Sequence, residues 1–294
     1  MGLSLEIKTV LFATDFLESS RLALDYATAF AHHYQAKLQL LHVFHLPQPA
    51  MEAEALNGPS MSRLSRERRL ERLAAGAARA GVEVGTQLVE GWMPQTLLEK
   101  IHQSKPDLLA LGTHGIYRGL HHMLIGSNAE EVLLSVPYPT LTVGRHVPAG
   151  VGPEIEFEHI LYITDFTPES AAAAPYAVAL SHDFNARLEV CHLLPEQEDR
   201  GAEEDHMMET RYCEEVARMV PGSEASWCSP GAQLEHGATA DQILQRIRRD
   251  SSGLVVLGVR AESEFARHLR TSRAFELVAT AACPILTIRG VEAR

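Results

Sequence analysis

The chain has 294 residues, 46% of them hydrophobic and 22% charged, and a net charge of −12. Length and composition fit a globular protein of two domains, each long enough to bury its own core. The acidic balance argues against a duplex nucleic-acid binder, which carries a basic face, and against a peripheral protein held by anionic lipid.

In chain order, KTVLFA (residues 8–13) is an apolar run that suits a buried parallel strand. Ser19 or Ser20 is placed to cap a helix whose apolar positions include Leu22, Tyr26, Ala27 and Phe30. KLQLLHVF is a second strand, and the Arg-rich segment from Met61 to Gly81 is an amphipathic helix that Gly81 stops. A third strand (EVGTQLVEG), a helix with Pro94 near its first turn, and a fourth strand (DLLALG) follow. SNAEEVLLSV is a helix in which Asn128 and Glu131 are spaced for a capping box, and PTLTVG is a fifth strand. Strands alternating with helices call for a parallel sheet covered on both faces. In such a sheet, ligands bind beyond the strand carboxyl ends, where Asp15, the HVF of strand two and Gly112 all fall.

The pattern then repeats. Asp15 pairs with Asp165 and His42 with His192 at an offset of 150, Gly112 with Gly258 at 146, and Pro139 with Pro284 at 145. Duplication accounts for this, with four residues lost from the middle of the second copy and one extra residue in the first copy after Gly112. The Gly- and Pro-rich junction HVPAGVGPEIEF puts the boundary near residue 150, giving domains 1–150 and 151–294. The short apolar strands TLTVG and ILTIR are suited to pair the units edge to edge.

The stretch from Gly112 to Asn128 carries glycines at 112, 115, 119 and 126 between a strand and a helix start. Glycines let backbone amides approach an anion, and a helix N-terminus adds its dipole. By residue physics alone a phosphate cradle and a turn set by chain geometry stay equally open. The chain has no G-x-x-x-x-G-K-[ST], no G-x-G-x-x-G after strand one and no G-x-S-x-G elbow.

Taken together, Thr14-Asp15 after strand one, LHV at strand two, G-x-x-G, a spacer and Gly126-Ser127 resemble the universal stress protein family, ATP-binding branch, twice over. The resemblance implies an α/β fold: two tandem five-stranded parallel-sheet sandwiches, Rossmann-like and adenine nucleotide alpha hydrolase-like, packed as a pseudo-two-fold dimer. It implies an adenine nucleotide, ATP or AMP/ADP, with Mg²⁺ admissible beside it. Ala13 and Asp15 would line the adenosine site, Val43 would meet the adenine through its backbone, and Leu111 and Gly112 would lie by the ribose. Gly115, Gly126, Ser127 and Asn128 would hold the phosphates.

Two departures stand out. The spacer from Ile116 to Ile125 has ten residues where the family usually has nine. In the second unit Ala261 and Thr271 replace cradle glycines, which disfavours positive φ. Arg260, Arg267, Arg270 and Arg273 there are available to an anion, although a solvated basic helix start accounts for them more simply. The first unit is therefore expected to bind nucleotide better than the second.

Other features carry less. His42 and His192 are repeat-symmetric and read as structural, His114, His121 and His122 as loop residues, and His206, Glu209 and Cys213 as a weak metal constellation. Four cysteines without a C-x-x-C pair, no leader pattern and no long apolar run point to a cytoplasmic protein without a membrane span. No base, loop lysine or second carboxylate supports efficient catalysis. The leading expectation is an ATP-binding stress or signalling module read by an unknown protein partner. A slow ATPase or autokinase and a nucleotide-free scaffold are the competitors, and homodimerisation is left open.

Overall fold

The computed structural model describes residues 4–45, 63–113, 127–164, 168–194, 231–236, 240–250, 253–259 and 273–289, with isolated positions between 207 and 218. The first unit runs β1 (Thr9–Ala13), α1 (Glu18–His33), β2 (Lys37–Phe44), α2 (Arg63–Ala78), β3 (Val84–Glu90), α3 (Gln95–Ser104), β4 (Leu108–Gly112), α4 (Ser127–Ser135) and β5 (Thr140–Val143). The second runs β6 (His159–Thr164), α5 (Pro168–Ala171), α6 (Ala174–Asp183), β7 (Arg187–Leu194), β8 (Gly231–His236), α7 (Ala240–Arg249), β9 (Leu254–Val259), α8 (Arg273–Thr280) and β10 (Ile285–Arg289). Each strand expected in the first unit is present. All ten strands form one sheet in the order β3-β2-β1-β4-β5-β10-β9-β6-β7-β8. Neighbours are parallel except β5 and β10, which run antiparallel with Leu141 opposite Leu286.

Strand side chains alternate between faces, so each apolar run feeds two cores. Val10, Phe12, Leu38 and Leu40 point to one face, under Leu22, Tyr26 and Phe30 of α1 and Leu70 of α2. Leu11, Leu41, Leu109 and Leu111 point to the other, under Leu97 and Ile101 of α3 and Val132 and Leu133 of α4. Both cores continue into the second unit, and burial on both faces is why these strands lack apolar–polar alternation. The seam between the units is closed by two equivalent hydroxyls. Thr142 Oγ1 donates to the Ile285 carbonyl and Thr287 Oγ1 to the Thr140 carbonyl, each at 3.1 Å.

The second copy of the first helix is broken. Where α1 runs unbroken for 16 residues, its counterpart is split into α5 and α6. Pro175 stands where α1 has Asp25. Its ring removes a backbone donor and clashes with the preceding turn.

Candidate functional site

β1 lies between β2 and β4, so the strand order reverses beside it. At such a switch point the loops after adjacent strands diverge to opposite faces and open a crevice. Ala13, Val43, Leu111 and Gly112 stand at the carboxyl ends of these three strands. Ala13 is in register with Leu41 and Leu111, Val43 with Val89, and Gly112 with Val143.

The turn after β1 is tightly specified. Thr14 N–H donates to the Leu41 carbonyl (3.0 Å). Asp15 N–H donates to Ser20 Oγ (3.3 Å), while the Ser20 hydroxyl donates back to Asp15 Oδ1. Leu17 N–H reaches the same carboxylate oxygen at 2.9 Å. Asp15 is exposed, and among the described residues its Oδ2 has no hydrogen-bond partner. The expectation that Ser19 or Ser20 caps α1 is corrected. The helix begins at Glu18, the residue before it makes no side-chain cap, and both serines are buried inside the first turn. Asp15 satisfies an amide at the helix start instead, as an Asx-type turn does.

Phe16 occupies the left-handed region, with φ of 66°. For a bulky residue this is an outlier that persists only where its surroundings over-determine it. Phe16 N–H donates to Thr14 Oγ1 (3.0 Å), and Arg69 Nη2, from α2, donates to the Phe16 carbonyl (2.6 Å). The Arg69 guanidinium also sits 4.9 Å from the Phe16 ring centroid. The ring also packs against His42, with centroids 4.1 Å apart. His42 is buried, and its Nδ1–H donates to the Thr14 carbonyl (2.7 Å). Burial is the main force pushing its pKa below the usual histidine value, and Arg66 and Arg69 push the same way. The Thr14 carbonyl and Asp15 act oppositely. Burial and the Thr14 carbonyl together favour the neutral, Nδ1-protonated tautomer of His42. Its Nε2 is buried without a partner, as is Arg66 Nη1, whose guanidinium lies over the Phe44 ring at 4.9 Å.

Gly112 has a steric reason of its own. A Cβ there would lie 2.7 Å from Ser19 C and Ser20 N, inside the backbone of the first turn of α1. Beyond it, Thr113 is fully buried and donates its N–H to the Val143 carbonyl (3.2 Å). Ser127 and Asn128 open α4, whose first amides have no partner within their own helix. The Asn128–Glu131 capping box is corrected. Asn128 is already helical, and Glu131 accepts from Ser135 Oγ at 3.3 Å.

The structure therefore brings Ala13, Asp15, Val43, Leu111 and Gly112 to one sheet edge. Gly115, Gly126, the spacer from Ile116 to Ile125 and the three loop histidines lie outside the described residues. So do Asp165, Ala261, Thr271, Arg260, Arg267, Arg270, His206, Glu209, Cys213, Cys228 and the Arg273 side chain. Among the described residues no group of three metal-ligating side chains occurs, and no helix is long and apolar enough to cross a membrane. Cys191 and Cys283 are buried and in no disulfide among the described residues, and burial pushes the Cys283 pKa up to about 12. Sequence reasoning missed Phe16 and Arg69. The repeated Asp-Phe of residues 15–16 and 165–166, and arginines at i, i+3 and i+6 from Arg63, were the available signals.

The model of the universal stress protein family matches this chain twice, over residues 6–144 and 156–289. A universal stress protein of Methanocaldococcus jannaschii is 29% identical over 142 residues, which is 47% of this chain and 82% of that protein. Among solved structures, a universal stress protein from Archaeoglobus fulgidus superposes with a TM-score of 0.71 at 18% identity, covering 98% of this chain and all of that one (100%). A Pseudomonas aeruginosa protein of unknown function gives a TM-score of 0.64 at 18% identity, over 97% of this chain and 93% of its own.

Proposed function

Because the chain belongs to the universal stress protein family, its domain model matching both halves, we propose that the first unit is an adenine-nucleotide module, with ATP its principal ligand. The observation that carries this reading is the Asp15 turn. One carboxylate oxygen is pinned by Ser20 and Leu17, and the other is left unpartnered among the described residues at the switch point of the sheet. A carboxylate held in this way accepts a hydrogen bond from a ligand hydroxyl or amino group without first losing rotational freedom. Ala13, Val43, Leu111 and Gly112 line the same edge, and the α4 N-terminus at Ser127 and Asn128 offers amides and a positive dipole end to phosphate.

On this reading residues 1–150 form the nucleotide domain and 151–294 its degenerate partner. Gly115 and Gly126 complete the cradle, and a protein partner in the cytoplasm reads the loaded state. The test is calorimetry of the full chain with ATP, ADP and AMP. Saturable binding lost in Gly115→Arg and Gly126→Asp is expected, and unchanged affinity in both sinks the assignment. Inorganic phosphate released by purified protein and lost in the same variants would recast the module as a slow ATPase. No binding of any of the three, with no rise in melting temperature, would leave a scaffold.

A further inference from the structure

We propose that Arg69 and His42 are positioning residues for this site: they clamp Phe16 in its left-handed conformation and so fix the orientation in which Asp15 presents its unpartnered oxygen. The proposal rests on the nucleotide reading for its ligand, but not for its geometry.

Residues 14–17 must leave β1 and enter α1 within a few positions, and Asp15 must bond both Leu17 N–H and the Ser20 hydroxyl. Phe16 stands between them at φ 66°, a conformation its Cβ opposes. Three separate elements converge on that residue. Thr14, at the end of β1, takes its N–H. Arg69, from α2, takes its carbonyl at 2.6 Å and covers the ring. His42, from β2, lies against the ring at 4.1 Å and, through Nδ1, holds the Thr14 carbonyl two residues back. Neither Arg69 nor His42 makes a hydrogen bond to Asp15 itself. Both act one residue to either side of it.

The charges around His42 fit the neutral tautomer that this arrangement needs. Arg66 and Arg69 approach it from α2, and Asp15 from the turn. Only an Nδ1–H can donate to the Thr14 carbonyl, and a buried imidazolium beside two guanidiniums is disfavoured. The carboxamide nitrogen of asparagine can take the place of Nδ1, so His42→Asn is the conservative variant and His42→Leu the disabling one.

The test uses the full chain, ATP calorimetry and melting curves. Arg69→Met and His42→Leu should each weaken ATP binding about tenfold, the loss of one hydrogen bond's worth of orientation, with His42→Asn near wild type. Glycine adopts positive φ without support. In a Phe16→Gly background, Arg69→Met should therefore cost little further affinity. Phe16→Asn, which tolerates the same conformation, serves if the glycine variant does not fold. Full, additive losses in both backgrounds would overturn the clamp. If the wild type takes up no ATP, the nucleotide reading falls and the clamp is judged by NMR. His42 must then give ¹⁵N signals of a neutral Nδ1–H imidazole, and Arg69→Met must shift the Asp15 and Phe16 amides. An Nε2–H ring, or unmoved amides, overturns it.

Discussion

The two units share a strand order, yet equivalent positions have been put to different uses at opposite ends of the sheet. In the first unit Gln39, on β2, folds its amide over Gly85, where an added Cβ would lie 2.4 Å from Gln39 Oε1. Lys100 stays at the surface with Gln103. At the matching positions the second unit has Glu189 and Arg246. Arg246 has only 3% of its side chain exposed, with Nη2 2.6 Å from Glu189 and Nε 3.3 Å from Asp250 Oδ2. In the second unit these positions thus form an ionic lock, while in the first unit they carry a neutral amide and a surface lysine. Equivalent positions of a duplicated fold can thus diverge while the strand order is kept.

The lock is where this contrast should break most visibly. Arg246→Leu leaves the mostly buried Glu189 carboxylate without this partner and should destabilise the chain by about 3 kcal/mol. Lys100→Leu, on a partly exposed helix position of the first unit, should stay within roughly 0.5 kcal/mol. Urea unfolding of both variants checks this, and similar losses would mean that the units are not differently built. Next in size comes Gly112→Ala, whose Cβ would enter the backbone at Ser19–Ser20. Overpacking of that kind should cost about 1–3 kcal/mol in the same assay. A neutral outcome would show that the first turn of α1 shifts freely, and Gly112 would then be there for a ligand alone.

How much of this was legible in the sequence depends on the range of the interactions involved. Strands were readable because buried parallel strands are continuous apolar runs, and the repeat was readable because Asp15, His42, Gly112 and Pro139 recur at steady offsets. Helix starts were misread at both ends of the site. Ser19, Ser20 and Asn128 have capping chemistry, but a cap is decided by which residue leaves helical geometry first, and here all three already lie inside their helices. The split between α5 and α6 was readable from Pro175, yet the alanine-rich run around it hid the break. Phe16 and Arg69 were out of reach for another reason. A left-handed phenylalanine contradicts local propensity, and its support comes from an arginine 53 residues away.

A smaller contrast lies at the seam, where the units ought to behave alike. Thr142 and Thr287 are equivalent, both buried, and both donate to the partner strand at 3.1 Å. Thr142→Val and Thr287→Val should each cost about 1 kcal/mol, and by equal amounts. Clearly unequal losses in thermal unfolding would mean that the seam, too, has diverged.

The finest difference expected is in titration. The folded pKa of His42 lies below its unfolded value of about 6.5, chiefly through burial. Between the two values the unfolded chain binds a proton that the folded chain refuses, so stability rises with pH across that window. The contribution is complete above about pH 6.5 and is lost as pH falls toward the lowered folded value. His33 is shifted in the same direction by burial, with Asp183 opposing. The wild type alone therefore cannot isolate His42. Comparing wild type with His42→Asn in urea at pH 7.5 and 5.5 cancels the His33 contribution, because both proteins keep it. The wild type should lose more stability on acidification than His42→Asn does. Equal losses would place His42 outside the acid response.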